Sequence, residues 1–111
     1  MSCLTLLGPA GAPTRLVCLP HAGASGDVYA AWSGDLAGAL EVWGATPAGR
    51  RHRSGEPLNV DPGRLVDEVV AEVTTDSRPL VVFGHSMGAL IGYELSLALS
   101  TQGRPPTALV V

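Results

Sequence analysis

Apolar residues change period several times along this chain, and each change marks an element. Arg15–Leu19, Val42–Ala45, Leu80–Phe83 and Ala108–Val111 are short apolar runs and predict strands. Between them the spacing shifts to three and four. Val28, Ala31, Trp32, Leu36 and Leu40 predict a first amphipathic helix, capped by Ser25 or Asp27. Asp61 followed by Pro62 predicts the start of a second, with Leu65, Val66, Val69, Val70 and Val73 on one side and Asp67, Glu68 and Glu72 opposite. A third runs from Met87 to about Thr101, where Gly103 suits the left-handed C-terminal position and Pro105-Pro106 prevents continuation. Met1–Thr14 mixes apolar residues with Gly8, Pro9, Gly11 and Pro13, an extension with room for a short edge strand.

Strands that alternate with helices predict an α/β fold: a mostly parallel sheet covered by helices on both faces, within one domain. The run at Ala108–Val111 begins a further strand, so the sheet is expected to be incomplete at the carboxyl end, with one flank unpaired.

The stretch from Leu80 to Leu90 carries the chemistry. Ser86 lies between a β-branched strand and a helix, with Gly84 and Gly88 at the G-x-S-x-G spacing. A Cβ at either glycine would crowd a tight strand-to-helix turn. Such a turn lifts the hydroxyl above the sheet and aims the backbone N–H of Met87, at the positive end of the next helix, at the oxygen of a carbonyl that Ser86 attacks. His21-Ala22-Gly23-Ala24-Ser25-Gly26 follows the first clear strand as a small-residue loop. There the N–H of Ala22 is the candidate second donor to that oxygen, with a structural role for the His21 ring.

A serine hydroxyl needs a base to take its proton and a third group to orient that base. After Ser86 the sequence has one acid, Glu94, and no histidine. His85 adjoins the serine but points away from its hydroxyl, and is expected to pack. His52 stands among arginines and is expected to be solvated. Arg50, Arg51 and Arg53 make the one dense positive patch; Arg50 and Arg53 are candidates to contact an anion or an acidic partner, against a plain solvated loop. Tyr29 and Trp32 fit the packing side of the first helix and are expected in the core.

Composition removes several classes. The net charge of −3, with seven arginines and no lysine, supplies no broad basic surface for nucleic acid. Cys3 and Cys18 show neither disulfide nor metal-ligand spacing, so no metal or cofactor is expected. No basic leader with a long apolar stretch and no membrane-length run is present, which predicts a cytoplasmic protein.

Leu19-Pro20-His21-Ala22-Gly23, then Pro47 with Gly49-Arg50 and Arg53, then Val82-Phe83-Gly84-His85-Ser86-Met87-Gly88-Ala89-Leu90 with Tyr93-Glu94-Leu95, resemble the type II thioesterases. These are α/β-hydrolases that accompany polyketide synthases and nonribosomal peptide synthetases. The resemblance implies hydrolysis of the thioester between an acyl group and the phosphopantetheine arm of an acyl or peptidyl carrier protein, with Ser86 as nucleophile and the N–H groups of Ala22 and Met87 as oxyanion hole. In α/β-hydrolases the order along the chain is serine, acid, histidine. Members of the family are much longer, so the chain is expected to be the amino-terminal portion of one α/β-hydrolase domain, residues 1–111, lacking the triad acid and histidine. The family pattern has one residue fewer between the proline and Arg50, so that residue does not carry over directly. The competing readings are a truncated remnant or binding half-domain without catalysis, and another ester or amide hydrolase.

Overall fold

The computed structural model of the chain describes residues 2–20, 26–58 and 61–111. In order these form β1 (Leu4–Leu6), β2 (Thr14–Leu19), a 3-10 helix over Gly26–Trp32, α1 (Ser33–Leu36), β3 (Leu40–Ala45), a 3-10 turn at Arg51–Arg53, α2 (Pro62–Val73), β4 (Leu80–Gly84), α3 (Met87–Thr101) and β5 (Ala108–Val110). The strands make one five-stranded sheet in the order β1-β3-β2-β4-β5. β1 is the antiparallel edge strand, and the other pairings are parallel.

Alternate residues of each strand feed two cores. Val17, Leu19, Leu80 and Val82 meet Leu65, Val69 and Val73 of α2 and Ile91, Leu95 and Leu99 of α3 on one face. On the other, Leu16, Cys18 and Val42 meet Tyr29, with Leu36 and Phe83 at the margin. β2 is central to both, buried from Arg15 to Leu19.

The first helix departs from its predicted form. Leu40 opens β3 instead of closing a helix, because Ala37 leaves helical geometry and Gly38 turns with φ 89°. The short pieces that remain leave Trp32 37% exposed, with its ring on Phe83 rather than inside the core. Ser25 lies outside the described residues, so that cap stands apart from them.

The other helices end as their sequences dictate. The Asp61 side chain accepts from Gly63 N–H at 3.0 Å, which caps α2 ahead of Pro62. Gly103 (φ 73°) closes α3, where the Arg104 N–H donates to Leu99 O at 2.9 Å. At the far end of α2, Arg15 donates to the carbonyls of Val73, Asp76 and Arg78, and Arg104 donates to those of Thr74 and Asp76. Two guanidinium groups thus meet the negative end of that helix.

α3 is apolar nearly all round. Its inner side is buried, while Leu90 (69%), Tyr93 (54%) and Leu97 (46%) are exposed.

Candidate active site

Ser86 stands at the corner between β4 and α3, exposed, with φ 57° and ψ −121°. A non-glycine residue held there stores of order 1–3 kcal/mol, which the surrounding backbone must enforce. The glycines allow that enforcement. A Cβ on Gly84 would lie 2.1 Å from Gly88 O and 2.7 Å from the Ala89 Cα. One on Gly88 would lie 2.1 Å from Leu19 O and 2.7 Å from Pro20 O. Backbone therefore touches backbone on both sides of the serine. Across the corner the Gly88 N–H donates to His85 O and the Ala89 N–H to Ser86 O, each at 2.9 Å.

Met87 is the first residue of α3, so its N–H has no acceptor within the helix and lies at the positive end of the dipole. The Ser86 side chain makes no capping bond to the helix, and its oxygen is left to the solvent side. His21 and Ala22 lie outside the described residues. The strand that precedes them is fixed: Leu19 pairs in register with Gly84, and its carbonyl accepts the His85 N–H at 3.4 Å. The same carbonyl accepts the Tyr29 hydroxyl at 3.2 Å. Nothing in the order of residues announces that junction except the choice of tyrosine over phenylalanine on a packing surface.

Two expectations change and a third gains a contact. His85 is exposed beside Ser86 rather than packed. It immediately precedes the serine on the tight turn, where its backbone N–H reaches back to Leu19 O. His52 is exposed, yet its ring is tied, with Nε2 2.8 Å from Ser2 O. Arg53 is no anion anchor. It is 1% exposed, and its guanidinium is spent on Glu56, on Glu68 at 2.6 Å and on Thr46 O at 2.8 Å. The carboxylates of Glu56 and then Glu68 hold its charge more firmly than usual, and Glu56 is pulled below its ordinary range in return. Arg53 thereby closes the loop after β3, which a glycine with φ 87° at position 49 turns against Leu58. Arg50 is exposed at the rim of that loop.

A cavity of about 380 Å³ opens elsewhere, toward the amino-terminal ends of β2 and β4, lined by Arg15, Trp43, Glu72 and Arg78 among others. Another, of about 530 Å³, lies between α2 and α3 and is bordered by Glu94. Ser86 lines neither. Among the described residues no group of three His, Cys, Asp or Glu side chains is placed to hold a metal ion, and no helix is long and apolar enough to cross a membrane. Burial raises the Cys18 thiol to about 12, which makes it a packing residue rather than a nucleophile.

Known proteins match this arrangement. The family model described as "Thioesterase domain" matches residues 14–111. A probable cadicidin biosynthesis thioesterase of Streptomyces griseus is 39% identical over 97 residues, covering 86% of this chain and 27% of that protein. The human medium-chain S-acyl fatty acid synthase thioesterase is 37% identical over 93 residues, covering 82% and 35%. The type II thioesterase BorB from the borrelidin biosynthetic cluster superposes with a TM-score of 0.86 at 31% identity, over 96% of this chain and 44% of that one. The chain thus spans less than half the length of these relatives. Family, sheet and elbow agree: the chain belongs to the thioesterase family, with the fold of an α/β-hydrolase.

Proposed function

We propose that this chain is the nucleophile-bearing part of a serine thioesterase that releases acyl groups from the phosphopantetheine thioester of an acyl or peptidyl carrier protein, an editing role in polyketide or nonribosomal peptide synthesis. The observation that carries the proposal is the strained, exposed Ser86 at the head of α3. Its Oγ attacks the thioester carbonyl, the C–S bond breaks, and the pantetheine thiol leaves on the carrier. Water then hydrolyses the acyl-serine. The N–H groups of Met87 and Ala22 receive the oxyanion, each worth about 3 kcal/mol of barrier. The relatives' names support the reading: those matched include thioesterases of antibiotic clusters and of fatty acid synthesis. We assign the chain to the cytoplasm, a reading supported by a sequence without a basic leader and apolar stretch and by described helices too short or too polar to cross a membrane.

Within these 111 residues no histidine follows Ser86, where the serine, acid, histidine order of α/β-hydrolases would put the base. That same fact favours a second reading, a half-domain that binds without catalysis. Hydrolysis of an acyl-pantetheine thioester separates the two. The chain alone is expected to stay within about tenfold of its Ser86→Ala variant, because a general base contributes about a hundredfold or more. The chain extended by the carboxyl-terminal part of its relatives is expected to exceed its own Ser86→Ala variant by at least about a hundredfold. An extended form that gains nothing from Ser86 overturns the proposal and leaves the binding half-domain.

A further inference from the structure

We propose that Tyr29 is a positioning residue for the serine corner, acting through the carbonyl oxygen of Leu19. The chemical consequence rests on the reading of Ser86 as nucleophile; the structural one does not. Three groups converge on that oxygen: the Tyr29 hydroxyl donates to it at 3.2 Å, the His85 N–H donates at 3.4 Å, and Gly88 packs so close that a Cβ there would lie 2.1 Å away. The oxygen is buried with its residue, so a lone pair left dry carries a desolvation cost. The bond from His85 is long, and it is the last rung that holds the corner to β2. Tyrosine fills the second acceptor site and fixes the direction of the carbonyl against which both His85 and Gly88 rest.

The ring is well placed for this task. It is 6% exposed and sits edge-on to Phe83 at 5.7 Å and tilted on Trp32 at 5.0 Å. Phe83 belongs to β4, so one side chain touches the strand that leads into Ser86 and bonds the strand beside it. A phenol is a donor at neutral pH, and burial raises this one further above its ordinary value. One hydroxyl therefore ties the 3-10 helix over Gly26–Trp32 to the end of β2, against which the serine corner rests.

Tyr29→Phe keeps the ring and deletes the bond, and Tyr29→p-aminophenylalanine restores a donor. In the 111-residue chain, amide exchange at His85 and Gly88 is expected to rise about fivefold in the phenylalanine variant. Their amide resonances are expected to shift, while those of Val69 and Leu95 hold. The p-amino variant returns both signals toward wild type. Unchanged exchange and resonances at His85 and Gly88 overturn the proposal, as does a change spread evenly over the chain without rescue. If the phenylalanine variant does not fold, the p-amino variant decides: its weaker donor shifts the two resonances or the proposal fails. The same readings in a Ser86→Ala background are independent of Ser86 chemistry, so failure of the nucleophile reading shows separately. In the extended form that hydrolyses thioester, Tyr29→Phe is expected to lower kcat about tenfold with KM unchanged, and equal effects on both count against it.

Discussion

Gly84 and Gly88 meet backbone to backbone across the serine turn: a Cβ on the first would stand 2.1 Å from the carbonyl oxygen of the second. The neighbours are main chain, not the ends of flexible side chains, so they cannot move aside cheaply. Gly84→Ala and Gly88→Ala are each expected to destabilise by at least about 2 kcal/mol in urea denaturation. Gly55→Ala, where an added Cβ meets nothing within 4 Å, is the control and is expected to shift stability by less than about 1 kcal/mol. Equal effects at the three positions count against the packing argument.

The strain at Ser86 leads to a prediction of opposite sign. With φ 57°, glycine relieves the backbone cost, and Ser86→Gly is expected to stabilise the chain by about 1 kcal/mol while it removes the hydroxyl. Chemical denaturation of the two chains side by side checks it. A variant less stable than the parent shows that the serine side chain contributes packing that its exposure does not suggest.

Arg53 and Arg50 separate a structural cation from a surface one. Replacing Arg53 by leucine leaves Glu56 and Glu68 without their partner and Thr46 O without its donor, and is expected to be the most destabilising of the three changes. Arg53→Lys loses the forked geometry and is expected to fall between. Arg50→Ala is expected to stay within about 0.5 kcal/mol. Thermal melts of the three variants rank them.

Acid stability follows from the cluster at the amino-terminal ends of the strands. The Arg78 guanidinium holds both Glu41 and Asp76 down at about 2, and the Gly11 N–H and the Trp43 ring N–H add to its effect on Glu41. Because these acids bind protons more weakly folded than unfolded, their stabilisation is complete above the unfolded value near 4 and is lost as pH falls from there toward about 2. Glu41→Gln is expected to lower stability at neutral pH and to flatten its decline between about pH 5 and about pH 3. An unchanged slope in the variant removes Glu41 from the acid transition.

Long apolar periods were legible from the residues alone. The stripe from Leu65 to Val73 and the cap at Asp61 placed α2, and Gly103 with Pro105-Pro106 placed the end of α3. The serine turn was legible because its two glycines and its strand-helix setting answer to one steric cause. The region from Val28 to Leu40 was not, because spacing there mimics a helix while Gly38 takes a backbone angle that only the fold reveals. The role of Arg53 was hidden for another reason. Three arginines in a row of loop residues look alike until the acids that meet one of them, Glu56 nearby and Glu68 a helix away, are brought to it. Arg15 was read as the edge of an apolar run, although its head group finishes α2 from another strand. The Leu19 carbonyl is a main-chain atom, and no residue letter reports where a main-chain oxygen points.

The outward side of α3 has a bearing on how the chain behaves in solution. Leu90, Tyr93 and Leu97 present a greasy ridge beside the serine turn. The helix that holds the reactive alcohol in place thus also puts three large apolar side chains into water, and salts that strengthen apolar association are expected to favour self-association of this chain.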